Sequence, residues 1–255
     1  LELAKALNNS KKISSFTTQG RHDFEQICKQ YKNLDAIWQI FPFGDFNWIK
    51  KQILIAEKLK AVAISLCLDA PVRSHRYDDR ETRYDARKFG KFKSNIESNY
   101  KHYFEYDWDI IKKIKKITKL PIIPKGILSK TDLKDSLKSG ADGIWFSNHG
   151  GRFFNSGIST SSFMNSIQNE IKEIKKKNKI IIADGGIRRG TDVIKYLCLG
   201  ANLVAIGRPI LYGLIVKGNK GVTQILNIIE DEFYTSCKNG GFKSIKDFKY
   251  SRLNF

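Results

Sequence analysis

Short apolar, β-branched runs alternate along this chain with longer segments in which apolar residues recur every three or four positions. The runs predict β-strands and the longer segments predict amphipathic helices. Seven strands are predicted, at Lys12–Ser14, Ala36–Ile40, Ala61–Leu68, Leu120–Lys125, Gly143–Ser147, Lys179–Ala183 and Leu203–Ile206. Helices are predicted at Arg21–Tyr31, Phe46–Leu59, Asp107–Thr118, Lys130–Ser139, Ser161–Lys177 and Thr191–Leu199.

Continuous apolar strands that alternate with helices indicate an α/β fold with a parallel sheet covered by helices. Gly140 and Gly200 stand where helix C-caps are expected, and each is followed by Ala and the next strand, which indicates repeated βα units. Seven strands are one fewer than a (β/α)8 TIM barrel needs, so we expect such a barrel with its first strand apparently missing from this chain. A doubly wound sheet is the alternative, but no G-x-G-x-x-G motif opens a first βα unit.

The length of 255 residues favours a single domain over residues 1–255. A polar, charged and aromatic stretch at about 72–106 predicts a lid-like insertion in that domain. The N-terminal residues Leu1–Lys5 resemble the middle of an amphipathic helix, so we expect further residues upstream. No apolar run approaches the roughly 18 residues of a membrane span.

Four cysteines lie far apart and form no C-x-x-C pair. This spacing favours a reduced, cytoplasmic protein over a disulfide framework or a zinc site, and no metal is expected.

The net charge of +19 invites a nucleic-acid interpretation, but no nucleic-acid-binding motif accompanies it. Lysines that alternate with isoleucines at 110–117 instead indicate the solvated side of a helix. We therefore expect no nucleic-acid partner, although a basic surface can attract anionic substrates.

Two clusters at predicted strand ends carry candidate chemistry. Ser147–Phe153, with the sequence SNHGGRF, places His149 and Arg152 three positions apart after a buried strand. A base beside an anion-binding guanidinium suits chemistry on a small acid, although a lone loop histidine is more often structural. Asp69 ends another strand and could hold the imidazole across the barrel mouth.

The second cluster is Asp184–Gly190, with the sequence DGGIRRG, and Gly207–Pro209 follows the last strand in the same manner. Glycines allow close backbone approach to a ligand, and an arginine and a helix N-terminus supply donors for an anion. Paired glycine–arginine loops after the last two strands fit the phosphate site common in barrels. Tight turns with solvated arginines are the alternative.

These motifs resemble one enzyme family, the FMN-dependent α-hydroxy-acid dehydrogenases and oxidases, which includes the glycolate and lactate oxidases. The resemblance runs in order from about Ser14 to the C-terminus. It rests on LPIIPKG at Leu120–Gly126, SNHGGR at Ser147–Arg152, DGGIRRGTD at Asp184–Asp192 and IGRP at Ile206–Pro209.

The resemblance implies FMN-dependent oxidation of a small L-2-hydroxy acid to the 2-keto acid. His149 would be the base, oriented by Asp69, while Arg152 and Arg76 would bind the substrate carboxylate. Lys125 would stabilise the reduced, anionic flavin. The remaining flavin contacts would come from strand ends and loops: Ser14, Gln39 and Ser147 for the flavin system, Asp184 for the ribityl chain, and Gly185, Gly186, Arg188, Gly207 and Arg208 around the phosphate. The resemblance also suggests a homotetramer and leaves the electron acceptor and peripheral membrane association open.

Two positions depart from the family pattern. Phe41 stands where the family has a tyrosine near the substrate, and Cys67 stands where it usually has a threonine near the flavin. Loss of the phenol would cost about 1–3 kcal/mol in hydrogen bonding unless another group replaces it. The alternatives are a related FMN barrel with isomerase-like chemistry and a flavin-binding remnant with little turnover.

Overall fold

The computed structural model describes residues 1–20, 22–42, 45–70, 106–153 and 157–253. In chain order the elements are α1 (Glu2–Ser10), β1 (Ser14–Thr17), α2 (Phe24–Gln30), β2 (Ala36–Ile40), α3 (Phe46–Lys58), β3 (Ala63–Cys67), α4 (Asp109–Lys115), β4 (Ile122–Lys125), α5 (Lys130–Lys138), β5 (Gly143–Phe146), α6 (Thr160–Ser166), α7 (Gln168–Lys176), β6 (Ile180–Asp184), α8 (Gly190–Cys198), β7 (Leu203–Ala205) and α9 (Arg208–Asn239). Short 3-10 turns occur at His149–Gly151, Ile245–Asp247 and Tyr250–Arg252.

The seven strands form one parallel sheet in which each strand pairs with the next along the chain, in the order β1 to β7. Sequential parallel pairing with a helix after each strand is the construction of a (β/α)8 barrel, of which the described residues form seven units. The predicted barrel that lacks one strand is thus confirmed. Among the described residues, β1 and β7 are the two edges of the sheet.

Two apolar layers lie on opposite faces of the sheet, because side chains alternate along each strand. The larger layer packs the sheet against the helices and includes Ile40, Leu66, Ile144 and Ala183. The smaller layer faces the barrel interior and is formed by one residue from each of five neighbouring strands: Ile37, Ala63, Ile123, Trp145 and Ile182.

The helix ends follow the local sequence. Side chains of Asp45, Ser129 and Ser159 accept hydrogen bonds from backbone N–H groups in the first turns of α3, α5 and α6. Gly140 and Gly200 have φ values of 97° and 108°, a region that glycine adopts without strain, so each lets the chain turn from a helix to the next strand.

The prediction differs from the structure at three elements. β1 begins at Ser14, where the predicted strand ended, because Lys11 adopts a left-handed conformation that ends α1 and delays the strand. The helix predicted at Ser161–Lys177 divides at Ile167, where φ is −119°. The sequence analysis missed α9, which is interrupted at Lys217 and Gly218, and the predicted lid lies outside the described residues except for Tyr106.

A groove of about 610 Å³ separates the edge strands β1 and β7. Its walls include the interior residues Ile37, Trp145 and Ile182, together with Leu3 of α1 and Phe233 of α9. The barrel interior is therefore open along this side in the described part of the chain.

No helix among the described residues has the length and apolar character to cross a membrane.

The packing of α8 on α9 gives a first prediction, because a Cβ added at Gly190 would lie 2.1 Å from the backbone nitrogen of Phe233. Replacing Gly190 with Ala should lower the free energy of unfolding by about 1–3 kcal/mol, since backbone cannot move aside as a side chain can. Urea denaturation measures the change. Thr191→Ala, at an exposed neighbouring position, should stay within about 0.5 kcal/mol of the parent, and equal effects of the two changes would contradict the packing.

Candidate active site

Polar side chains replace the apolar interior layer at the C-terminal ends of the strands. Ser65, Lys125 and Asp184 lie on the interior face of the sheet. Each stands two positions after an apolar residue of the interior layer, namely Ala63, Ile123 and Ile182. Cys67 ends β3 and is the register partner of Lys125, which in turn pairs with Trp145. The strand period thus gathers these groups at the mouth of the barrel, where barrel enzymes carry their sites.

A buried hydrogen-bond network joins β4, β5 and β6 at this mouth. Lys125 Nζ donates to Ser147 Oγ at 3.0 Å, and Ser147 Oγ donates to Asp184 Oδ1 at 2.7 Å. Trp145 Nε1 donates to the other oxygen of Asp184 at 2.9 Å. Lys125 and Asp184 also form an ion pair at 3.7 Å. The two sequence clusters, SNHGGR and DGGIRRG, therefore meet in a single site.

Lys125 remains charged in this environment. Burial alone lowers the pKa of Lys125, but the carboxylates of Asp184 and Asp69 outweigh burial and raise it above its ordinary value. A permanent positive charge therefore lies at the barrel mouth, although the residue itself is only 5% exposed.

His149 and Asp69 form the predicted pair. His149 Nδ1 lies 3.1 Å from each carboxylate oxygen of Asp69. Burial raises the pKa of Asp69, but the hydrogen bond with His149 and the charge of Lys125 outweigh burial, so the pKa lies below its ordinary value. The ring of His149 also contacts Phe153 edge-on, with centroids 4.6 Å apart, and Phe41 at 6.0 Å. The imidazole is thus held by the carboxylate at Nδ1 and by two aromatic rings.

The turn that carries His149 is built from backbone and side-chain hydrogen bonds. The His149 N–H donates to Ser147 Oγ at 3.0 Å, and the Gly150 N–H donates to Asn148 Oδ1 at 3.0 Å. His149 itself has a φ of 52°, which is uncommon for a residue with a side chain and turns its ring toward Asp69. Thr160 Oγ1 accepts from the Asn148 N–H at 3.1 Å and fixes the turn to α6.

Gly126 allows Asp69 to occupy its place. A Cβ at Gly126 would lie 2.3 Å from Cβ of Asp69, and the φ of 101° at Gly126 also favours glycine. The glycine of the LPIIPKG motif therefore makes room for the carboxyl group that pairs with His149, a role that the sequence analysis did not assign to it.

The loops after β6 and β7 offer an anion site. Gly186 and Gly207 have open space where a Cβ would stand, and Arg188 and Arg208 are exposed beside them in sequence. Helix α9 begins directly after Gly207, so the positive end of its dipole lies at this loop and favours an anion there. Tyr196 donates to the carbonyl oxygen of Gly185 at 2.8 Å and keeps its proton, because burial raises its pKa to about 12.

Not every predicted residue joins this site. Ser14 lies at the N-terminal end of β1, paired with Ala36, and lines the groove between β1 and β7, so the structure does not bring it to the mouth. Thr17, paired with Gln39, holds the C-terminal position of β1 instead. The strand begins at Ser14, whereas the sequence predicted that it ends there, and the contact of Ser14 with the flavin stays a prediction.

Gln39 and Arg152 are consistent with their predicted roles, whereas Arg76 lies outside the described residues. Gln39 is 9% exposed and lies in register with Ser65 on the interior face. Arg152 is exposed and directly follows the His149 turn. The sequence analysis did not assign Trp145 to the site, because the hydrogen bond of its indole to Asp184 leaves no signal in an apolar strand. Gly185, which was assigned to the cofactor, packs against Thr160 Oγ1 and does not line open space.

The site belongs to a known class of proteins. The family of FMN-dependent dehydrogenases matches residues 1–255, and the chain belongs to that family. Among its relatives is the 2-hydroxyacid oxidase of Dictyostelium discoideum, which is 33% identical over an alignment of 265 residues. That alignment covers 98% of this chain and 66% of the relative. Human 2-hydroxyacid oxidase 1 is 30% identical, over 95% of this chain and 69% of the relative. The chain thus spans about two thirds of the length of these relatives.

Solved structures show the same fold. A lactate oxidase of Pediococcus acidilactici superimposes with a TM-score of 0.87 at 30% identity, over 98% of this chain and 69% of the other. A mandelate oxidase with benzoyl-formic acid gives a TM-score of 0.87 at 26% identity, over 100% of this chain and 72% of the other.

The residues at the mouth fit FMN. Ser65 Oγ is buried on the interior face without a partner among the described residues, and the buried cation of Lys125 suits a ring that becomes anionic on reduction. The open glycines and arginines after β6 and β7 suit the phosphate. Each part of the cofactor therefore has a chemically matched group in this chain.

The central place of Ser147 gives a second prediction. Replacing Ser147 with Ala removes one donated and two accepted hydrogen bonds, so it should lower the free energy of unfolding by about 1–3 kcal/mol. Ser166→Ala is the matched control, because the hydroxyl of Ser166 donates only within its own helix, to the Phe163 carbonyl. Urea denaturation of both variants measures the difference, and a neutral Ser147→Ala would contradict the network.

Proposed function

We propose that the protein, with FMN bound, oxidises a small L-2-hydroxy acid to the 2-keto acid. The observation that carries this proposal is the His149–Asp69 pair, at 3.1 Å, beside the buried positive charge of Lys125. A base and a fixed cation at one barrel mouth suit removal of a proton from a substrate while negative charge accumulates nearby.

His149 acts as the base through Nε2. Because Nδ1 is engaged with Asp69, the neutral imidazole carries its proton on Nδ1 and leaves Nε2 as an acceptor. The Asp69 carboxylate then stabilises the imidazolium that forms when His149 takes the substrate proton. The low pKa of Asp69 keeps this carboxylate ionised, so the proton stays on the imidazole.

FMN supplies the two-electron acceptor of this reaction. Lys125 holds a positive charge at the mouth, which favours accumulation of negative charge there. Arg152 binds the substrate carboxylate from its position after the His149 turn, and Arg76 shares this task in the proposal. A cavity of about 310 Å³ lined by Asp69, Ser147, Asn148 and Phe153, among others, gives a small acid room beside the base.

The names of the relatives support a substrate class and an electron acceptor for the proposal. Those named above are 2-hydroxyacid and lactate oxidases, which supports a small hydroxy acid as substrate and dioxygen as the electron acceptor. Oxygen consumption and hydrogen peroxide formation during turnover test the acceptor. Four cysteines, all free thiols, support a reducing compartment such as the cytoplasm, whereas two relatives are described as peroxisomal.

Phe41 favours a second candidate, a flavin-binding protein with little turnover. Its ring lies 6.0 Å from that of His149 and offers no hydroxyl to the substrate. Tightly bound FMN that no hydroxy acid reduces would support this second function over the first.

Anaerobic mixing of the FMN-loaded protein with L-2-hydroxy acids tests the proposed function. We expect loss of the oxidised flavin absorbance with at least one acid of a panel that includes lactate, glycolate and mandelate. His149→Gln should slow the reduction by about 10²–10⁴-fold with FMN still bound, because the base is lost. His22→Gln changes a histidine that takes no part in the Asp69 pair or in the Ser147 network, and it should leave the rate unchanged.

Two outcomes would contradict the proposal. One is a flavin that no member of the panel bleaches, and the other is a His149→Gln variant that reacts as fast as the parent.

The substitution at position 41 gives a further prediction. Phe41→Tyr adds a hydroxyl near His149 and should raise kcat/KM by about 5- to 160-fold, which corresponds to the 1–3 kcal/mol of a hydrogen bond to the substrate. Steady-state kinetics measures the ratio. Phe248→Tyr, in the aromatic stack with Phe233 and Phe242 away from the site, is the control. An equal response of the two variants would show that position 41 does not face the substrate.

A further inference from the structure

Cys67 gives the site a third potential ligand next to His149 and Asp69. Its Sγ donates to Asp69 Oδ1 at 3.1 Å and lies 4.0 Å from His149 Nδ1, which itself lies 3.1 Å from the same carboxylate oxygen. A thiol, a carboxylate and an imidazole therefore converge within 4.8 Å of one another. The reaction proposed above uses the carboxylate and the imidazole but has no step for the thiol.

We propose that Cys67, Asp69 and His149 bind a thiophilic divalent cation such as Zn²⁺, and that this metal inhibits the enzyme. Zinc is held tetrahedrally at about 2.3 Å from sulfur and about 2.0–2.2 Å from nitrogen and oxygen, which sets donor–donor separations of roughly 3.3–3.6 Å. The three observed separations lie on either side of this range, so small side-chain shifts bring all three donors to the metal.

The charge of the cluster suits a divalent cation. Lys125 forms its ion pair with Asp184, and the Asp69 carboxylate and a Cys67 thiolate supply two negative charges beside the metal. Burial and the neighbouring Asp69 carboxylate keep the thiol protonated in the metal-free protein, and the metal displaces this proton to solvent when it binds. A thiolate also selects zinc over hard cations such as Mg²⁺, which prefer oxygen ligands.

A route to the cluster and a fourth ligand position exist. The cavity of about 310 Å³ reaches Asp69, whose side chain is 13% exposed, and water or a substrate oxygen can complete the tetrahedron from that side. The sequence spacing hides this site, because its ligands come from the end of β3 and from the turn after β5.

Inhibition follows from the nitrogen that the metal occupies. A metal on Nδ1 of His149 replaces the hydrogen bond to Asp69 and forces the proton of the neutral imidazole onto Nε2. Nε2 can then no longer accept the substrate proton. This consequence rests on the proposed function, whereas metal binding itself does not.

Equilibrium dialysis of the FMN-loaded full-length chain against Zn²⁺, followed by metal analysis, tests the binding. We expect the chain to bind one Zn²⁺ through the Cys67 thiolate. Cys67→Ser should therefore raise the Kd for Zn²⁺ at least about tenfold. Cys28→Ser is the matched control, since Cys28 lies on α2 away from the cluster, and it should bind as the parent does. Mg²⁺ should not compete.

X-ray absorption at the zinc edge gives a readout that needs no stable variant. The bound zinc should show one sulfur at about 2.3 Å together with nitrogen and oxygen ligands. Absence of stoichiometric zinc, a coordination shell without sulfur, or equal zinc binding by the parent and Cys67→Ser would overturn the metal site. Turnover assays complete the test. Zn²⁺ should inhibit the parent and Cys28→Ser, and a chelator should restore their activity. A zinc-loaded enzyme that turns over at the full rate would refute the inhibitory role.

Discussion

The buried ammonium group of Lys125 is the constraint on which the rest of the site depends. A charge in the interior of a barrel is tolerated only with a compensating charge and hydrogen bonds, and Asp184 and Ser147 supply them. These contacts tie β4, β5 and β6 together at their C-terminal ends. Ser147 then accepts from the backbone N–H of His149, so the position of the His149 ring depends on the same network. The cation, the carboxylate and the imidazole are therefore parts of one arrangement.

Parallel strands in sequential register bring this arrangement about. Each of the five strands from β2 to β6 contributes an apolar residue to the interior layer and is followed two positions further on by a polar residue, so a single repeated pattern yields both a core and a site. Glycines allow the close approaches that follow, as Gly126 does against Asp69. The bound cofactor and substrate would lie where the apolar layer ends, among groups whose charges the protein has already compensated.

Much of this could be predicted from the sequence, and the failures have physical causes. Strong apolar periodicity located six of the seven strands, and the resemblance assigned His149 and Asp69 as a pair, which lie 3.1 Å apart. Ser14 was misplaced because polar residues in β1 obscure the strand signal. Trp145 was not assigned to the site because an indole in an apolar strand has the same sequence pattern as a core residue, and its hydrogen bond to Asp184 depends on the fold. The thiol of Cys67 was recognised as unusual, but its contacts with Asp69 and His149 depend on the fold.

The central claim is that the SNHGGR and DGGIRRG segments form one flavin and hydroxy-acid site. A crystal structure of the protein with FMN and a 2-keto acid tests this claim most directly. The account predicts the FMN phosphate at the loops of Gly186 and Gly207, the ring beside Lys125, and the acid within hydrogen-bond distance of His149 and Arg152. A phosphate bound elsewhere, or an acid that leaves His149 without a contact, would contradict it.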